Sequence, residues 1–120
     1  MQAEADQSQA LCHCGDCRKL SGSLFSTNFI IPKPKVTKGQ PKEYVAKADS
    51  GRSLTSYFCG DCGTTLWRAG EAFGDNAVLK VGVLDDQDTL AQKPSAELYA
   101  KRRPAWLPSI DGAALKQEMS

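Results

Sequence analysis

The sequence lacks the features that mark a membrane, nucleic-acid-binding or secreted protein. Its 120 residues contain no apolar run that approaches the length of a membrane span, so we expect no membrane association. The 15 basic and 14 acidic side chains leave a formal charge of +1, which creates no field that would attract nucleic acid. Residues 1–11 have neither a basic start nor an apolar run, so we expect no secretory leader and a cytoplasmic location.

Aromatic residues are also scarce, at 8% of the chain, and ten glycines further reduce the side-chain volume available for a core. A chain of this length forms one domain and buries roughly two-thirds of the surface that its unfolded state exposes. We therefore expect a thin core that needs a stabilising contribution besides apolar burial.

Short apolar and β-branched segments, separated by turn residues, predict a mainly β domain built of short antiparallel strands. The predicted strands are residues 24–31, 43–46, 53–58, 64–68, 77–83 and 97–100. Helical signal is weak, and residues 16–20 and 85–91 each favour a single turn. Pro32 and Pro34 predict that the first of these strands ends at a sheet edge, because proline cannot donate to a ladder.

Five cysteines are the main anomaly of the composition, and an odd number cannot pair fully in disulfides. Cys12, Cys14 and Cys17 form a C-x-C-x-x-C cluster, and Cys59 and Cys62 form a C-x-x-C pair. In an extended segment residues i and i+2 face the same way, and a tight turn after Cys14 would return Cys17 to the same point. Thiolate sulfur suits Zn²⁺, so we favour metal binding over the alternative of five buried apolar thiols.

The spacing leaves two divisions of the cysteines open. In the first, Cys14, Cys17, Cys59 and Cys62 form a closed Cys₄ zinc ribbon with Cys12 left over, and the zinc is structural. In the second, Cys12, Cys14 and Cys17 hold a zinc ion whose fourth position is open, which is the arrangement of a catalytic site.

Several motifs in the same order resemble the glutathione-dependent formaldehyde-activating enzyme family, which also includes centromere protein V. The first is Cys-His-Cys-Gly-Asp-Cys-Arg-Lys at residues 12–19, followed by Ser-Gly-Ser and Phe-Ser. The others are Phe-Cys-Gly-Asp-Cys-Gly-Thr-Thr-Leu at 58–66, Gly-Val-Leu-Asp-Asp at 82–86, and Arg-Pro-Ala-Trp at 103–106 ahead of Asp-Gly. We accordingly place the zinc domain at residues 11–112, between a disordered tail or the remnant of an element at 1–10 and a C-terminal tail at 113–120.

The resemblance implies a zinc-containing β-tent fold with two zinc sites. Cys12, Cys14 and Cys17 match the family's catalytic zinc ligands, while Cys59 and Cys62 match half of its structural zinc site. The family's other half is an upstream C-x-C strand, and this sequence has no cysteine before Cys12. Without that strand its neighbour would keep unpaired backbone groups at a sheet edge, which favours a homodimer.

The activity implied is that of a zinc-dependent carbon–sulfur lyase that forms or cleaves glutathione adducts such as S-hydroxymethylglutathione. Arg18 and Lys19, next to the last ligand of the first cluster, are the candidate substrate-binding residues, since they could hold a glutathione carboxylate. The alternative is a non-catalytic binding module, stapled by one structural Cys₄ zinc.

Four further residues carry structural expectations. His13 lies between two cysteines of an extended segment and should point away from a metal held by them. Trp67 and Trp106 are expected in the core or in the wall of a pocket. Arg103 is expected to make a polar structural contact.

Overall fold

The computed structural model describes residues 9–47 and 51–118, which form one eight-stranded sheet with short helices. The mainly β class predicted from the sequence is confirmed. No helix in these two ranges is long and apolar enough to cross a membrane. The strands are β1 (Gln9–Cys12), β2 (Ser26–Pro32), β3 (Lys42–Lys47), β4 (Ser53–Phe58), β5 (Thr65–Gly70), β6 (Asn76–Lys80), β7 (Ala96–Leu98) and β8 (Ala114–Leu115). The α-helices are α1 (Gly15–Ser21) and α2 (Gln87–Leu90), and 3₁₀ turns cover Glu71–Phe73, Val81–Val83 and Ala100–Arg102.

The strand order across the sheet is β3-β4-β5-β6-β2-β1-β7-β8. Neighbours from β3 to β1 pair antiparallel, whereas β1 with β7 and β7 with β8 pair parallel. The antiparallel pairing predicted for all strands is therefore wrong for these two pairs. They are parallel because the chain crosses over before β7 through residues 81–95 and again before β8 through residues 99–113, connections long enough for a crossover.

Both ends of the folded region extend beyond the expected domain boundaries at 11 and 112. Gln9 and Ala10, assigned to a tail, begin β1 and pair with β2, and Ala10 also pairs with β7. Ala114–Leu115, also assigned to a tail, forms β8 on the edge of β7. These short segments are strands because their backbones pair with other strands of the sheet. Such pairing depends on residues elsewhere in the chain, so the local sequence carries no signal of it. The rest of the expected N-terminal tail, residues 1–8, lies outside the described residues.

Pro32 ends β2 as predicted, but β2 is an interior strand between β6 and β1 and does not lie at an edge. A proline is tolerated there because its missing N–H falls on the last residue of the strand. Both faces of β2 are covered, since the consecutive residues Asn28 and Phe29 are both buried.

The hydrophobic core lies on one face of the central strands, where apolar residues alternate with polar ones. Trp67 lies in this core and stacks on Tyr57 with ring centroids 5.0 Å apart, so its predicted core position is confirmed. Trp106 is 74% exposed, which contradicts the expectation of a buried or pocket-lining ring. The buried members of the core are Phe29, Trp67, Ala77, Leu79, Val81 and Leu84.

Helix α1 is longer than the single turn predicted at residues 16–20. It begins directly after Cys14, whose Sγ accepts a hydrogen bond from the backbone N–H of Cys17 at 3.2 Å. It ends at Gly22, which adopts φ 67° and donates its N–H to the carbonyl of Arg18 at 3.0 Å. The left-handed conformation favours glycine at this position.

A buried carboxylate ties the C-terminal segment to the sheet. Glu97 on β7 is 1% exposed, and its Oε1 lies 2.9 Å from Nε2 of His13. Its Oε2 accepts the backbone N–H of Ile110 at 2.9 Å, and Nε of Arg103 lies 3.9 Å from Oε1. Arg103 also donates to the carbonyl of Leu107, so the polar structural contact expected of this arginine is confirmed. His13, Glu97, Arg103 and Ile110 are called the Glu97 cluster below.

We predict that Glu97→Gln destabilises the fold by about 1–3 kcal/mol, because a neutral amide leaves buried donors of the cluster imperfectly paired. Urea denaturation of the two proteins measures the difference. The matched control is Glu118→Gln, whose partner Lys101 lies 3.5 Å away on the surface and which should cost less than about 0.5 kcal/mol. Equal effects of the two substitutions would contradict this account of the Glu97 cluster.

The same variant should change how stability depends on pH. Burial raises the pKa of Glu97, but hydrogen bonds from His13 and Ile110, together with the charges of His13 and Arg103, bring it below its usual value. A carboxyl group with a depressed pKa stabilises the fold above its unfolded pKa, and this contribution is lost as the pH falls. The free energy of unfolding should therefore fall more steeply below about pH 4.5 in the unaltered protein than in Glu97→Gln.

Candidate metal and thiol site

Three cysteines meet where β1 passes into α1. Cys12 is the last residue of β1, Cys14 precedes α1 and Cys17 lies in its first turns. Their sulfur atoms all lie within 4.8 Å of one another, and the side chains of Cys12 and Cys17 are buried. Helix α1 brings Cys17 back beside Cys12 and Cys14, whereas the sequence predicted that a tight turn would do so. These three residues are called the cysteine cluster below.

The cysteine cluster fits a tetrahedral metal ion that binds thiolates. Zinc–sulfur bonds of about 2.3 Å place sulfur atoms roughly 3.8 Å apart, which small side-chain adjustments reach from the observed spacing. No histidine, aspartate, glutamate or further cysteine joins the group within the described part of the chain. A metal held here would therefore keep one position open for a guest, as catalytic zinc sites do.

The three thiols share charge unequally before any cation binds. Hydrogen bonds from Cys12 and then Cys14 lower the pKa of Cys17 far below its usual value, with Ser26 and Lys80 adding to the effect and burial opposing it. The hydrogen bonds to Cys14 and Cys17, together with burial, raise the pKa of Cys12. For Cys14, a hydrogen bond with Cys12 lowers the pKa, but Cys17 and burial raise it by more. The three thiols thus differ in acidity, and a divalent cation bound among them would displace their protons.

A polar wall lies behind the cysteine cluster, on the sheet face opposite the core. Ser26 stands directly across from Cys12 in the β1–β2 register, and Asn28 stands across from Lys80 in the β2–β6 register. Nζ of Lys80 donates to Oδ1 of Asn28 at 2.8 Å, and Nδ2 of Asn28 donates to Oγ of Ser26 at 3.0 Å. This series of hydrogen bonds therefore ends at Ser26, beside the cysteine cluster.

An open cavity of about 380 Å³ adjoins this wall. Ser26 and Lys80 line it, as does Ser21, whose hydroxyl donates to the carbonyl of Cys17 at 2.7 Å. Its size falls within the range of about 300–1,000 Å³ that is typical of small-molecule sites. Phe25 and Leu20 supply apolar surface, and the remaining lining residues are Thr27, Gly63, Thr64, Thr65 and Gly82.

Cys59 and Cys62 lie apart from the cysteine cluster, in the turn between β4 and β5. The backbone N–H of Cys59 donates to the carbonyl of Thr64 at 2.9 Å, and that of Gly63 donates to the carbonyl of Cys59 at 2.8 Å. Cys62 is exposed, and its sulfur lies 3.1 Å from Oγ1 of Thr64. The Cys₄ ribbon that would join this pair to Cys14 and Cys17 is not formed, because the β4–β5 turn holds the pair outside the group of sulfurs.

The two basic residues predicted to bind substrate do not line the cavity beside the cysteine cluster. Arg18 and Lys19 lie on the exposed side of α1, in its last turn. Lys19 lines a second cavity of about 310 Å³ together with Asp16 and Arg68. His13 points away from the sulfurs into the Glu97 cluster, as the alternation of an extended segment predicts.

Sequence reasoning missed Ser26, Asn28 and Lys80. A signal was present in each strand. Lys80 is the one charged residue in the predicted apolar strand at 77–83, and Ser26 and Asn28 alternate with other residues on β2. Such residues at period two mark the polar face of a strand, but their partners are set by strand pairing across 52 positions of sequence between Asn28 and Lys80.

Comparison with known proteins agrees with the motifs. The profile of the glutathione-dependent formaldehyde-activating enzyme family matches residues 1–102. A relative from Podospora anserina is 32% identical over 57 residues, which cover 48% of this chain and 27% of the relative. One from Penicillium rubens is 34% identical over 56 residues, covering 47% of this chain and 29% of the relative. Both are provisionally named glutathione-dependent formaldehyde-activating enzymes. The chain thus matches less than a third of the length of these curated relatives.

We predict that Cys17→Ser weakens Zn²⁺ binding by at least about 100-fold, because it removes one of three sulfur donors at the cysteine cluster. Competition with a chromophoric chelator measures the dissociation constant. Cys62→Ser is the matched control, since that thiol is exposed and outside the cluster, and it should keep the tight site. Tight binding that survives Cys17→Ser but is lost in Cys62→Ser would place the metal elsewhere.

Proposed function

Because the chain belongs to the glutathione-dependent formaldehyde-activating enzyme family, we propose that it forms or cleaves S-hydroxymethylglutathione as a zinc-dependent carbon–sulfur lyase. The observation that carries this proposal is the cysteine cluster, whose three sulfurs lie within 4.8 Å of one another with no fourth ligand among the described residues. A cavity of about 380 Å³ lies close to the cluster, because Ser26, which lines it, stands across from Cys12 in the β1–β2 register.

The reaction requires the site to hold the attacking thiol as a thiolate. A zinc ion bound by three thiolates would lower the pKa of a thiol in the fourth position and keep it ionised near neutral pH. The chain's part is to keep Cys12, Cys14 and Cys17 converged. With three thiolates the loaded site would carry one net negative charge.

The reaction is a reversible addition. In the forward direction the sulfur of glutathione bonds to the carbon of formaldehyde, the π electrons of the carbonyl move to oxygen, and that oxygen takes up a proton. In reverse the carbon–sulfur bond breaks and the hydroxyl proton is lost. Since thiols add to formaldehyde without an enzyme, the protein's contribution is to bring both reactants together in one orientation.

The cavity supplies groups suited to this task. The hydroxyls of Thr27 and Thr64 can hydrogen-bond a hydroxymethyl group, and Phe25 and Leu20 supply apolar surface beside them. Lys19, at the second cavity beneath α1, can receive a carboxylate of a tripeptide that extends beyond the first cavity.

A non-catalytic zinc-stapled module is the competing function. The closed Cys₄ ribbon on which it depends would require Cys59 or Cys62 to approach the cysteine cluster, and the β4–β5 turn keeps them away. The open three-sulfur arrangement therefore favours the enzyme.

We predict that the zinc-loaded protein accelerates exchange between formaldehyde and S-hydroxymethylglutathione at equilibrium, because both reactants would meet in one site. Two-dimensional exchange NMR measures the rate at fixed concentrations of both reactants. Cys17→Ser should return the rate to that of the uncatalysed reaction, and Cys62→Ser should leave the acceleration in place. Equal rates with and without the unaltered zinc-loaded protein would contradict the proposed activity and support the binding module.

A further inference from the structure

We propose that Lys80, Asn28 and Ser26 form a directed hydrogen-bond chain that turns the Ser26 hydroxyl toward the sulfurs of the cysteine cluster and thereby positions them for metal. All three are positioning residues, because they would act on a metal ion only through the sulfurs that hold it. The inference rests on the proposed function only in taking a metal ion as the guest of the cluster.

Strand register places the members of the chain on one face of the sheet. Cys12 on β1 faces Ser26 on β2, and Asn28, two residues further along β2, faces Lys80 on β6. Residues two apart on a strand share a face, so Ser26 and Asn28 point to the same side as Cys12. The pairing of β1, β2 and β6 therefore determines how Lys80, Asn28 and Ser26 are placed relative to the cysteine cluster.

Each hydrogen bond in the chain has one possible direction. The ammonium of Lys80 can only donate, so the atom of Asn28 that it contacts at 2.8 Å must be the oxygen. The amide nitrogen of Asn28 then donates to Oγ of Ser26 at 3.0 Å, which fixes Ser26 as the acceptor there. Ser26 is left with its own proton to donate, and the cysteine cluster lies next to it, because Cys12 is its partner in the β1–β2 register.

Burial strengthens the hydrogen bonds of this chain. Ser26 and Asn28 are each 6% exposed, so water does not compete freely for their polar atoms. No carboxylate pairs with Lys80 in the described ranges, so no ion pair competes with its hydrogen bond to Oδ1 of Asn28.

The effect of the hydrogen-bond chain on metal binding can be distinguished from a direct electrostatic effect of Lys80. If Lys80 acts through Asn28 and Ser26, its removal has little further effect once the Ser26 hydroxyl is gone. If it acts only through its charge on the sulfurs, the two removals act independently. A double-mutant cycle measures this difference directly.

The experiment uses Co²⁺ as the probe, in the Cys62→Ser background so that binding at the exposed pair does not contribute. Ser26→Ala and Lys80→Met are each expected to weaken Co²⁺ binding by about 10-fold, as loss of outer hydrogen bonds to metal ligands does. The double variant should also lose about 10-fold and not about 100-fold. Lys35→Met, at an exposed lysine after β2, is the matched control and should bind as the parent does.

The sulfur-to-cobalt charge-transfer band supplies a readout that a general loss of packing would not move. Removing a hydrogen bond from a ligand sulfur raises the energy of that sulfur's lone pair, so the band should shift to longer wavelength in both single variants. Unchanged affinity and band position in Ser26→Ala and Lys80→Met would overturn the chain, and so would a double variant that loses about 100-fold. Absence of Co²⁺ binding in the parent would instead overturn the metal site of the proposed function.

Discussion

Three cysteine sulfurs held within 4.8 Å of one another cannot all ionise unless a cation lies among them, and the site is arranged around that constraint. Without metal, the pKa of Cys17 lies below its usual value, while the pKa values of Cys12 and Cys14 lie above theirs. With a divalent cation, all three can become thiolates, and one net negative charge remains beside Lys80. The fold therefore offers a place that binds metal more strongly as the thiol protons are removed.

Strand β1 connects this site to the second polar cluster of the molecule. Cys12 and Cys14 point to one side of the extended segment, and His13 between them points to the other. There Nε2 of His13 lies 2.9 Å from Oε1 of Glu97. A shift of β1 by one residue would exchange the histidine for a thiol beside a buried carboxylate. The Glu97 cluster thus fixes the register that presents the cysteines, and it also anchors the segment around Ile110.

Local sequence carried enough information to predict the class of fold and the cysteine cluster. The strand at residues 53–58 matches β4 in both bounds, because alternation and flanking turn residues mark it. The C-x-C-x-x-C spacing predicted convergence of three sulfurs because it depends only on six consecutive residues. β1 and β8 were missed because pairing with distant strands, and not local pattern, holds them. The partners of Lys80 and Glu97 were beyond prediction for the same reason, since both contacts join residues far apart in the sequence.

X-ray absorption at the zinc edge tests the central claim most directly, with one equivalent of zinc bound to the Cys62→Ser protein. The account predicts three sulfur neighbours at about 2.3 Å and one lighter neighbour, which glutathione replaces with a fourth sulfur. Four sulfur neighbours before glutathione is added, or coordination by oxygen and nitrogen alone, would contradict an open three-cysteine site.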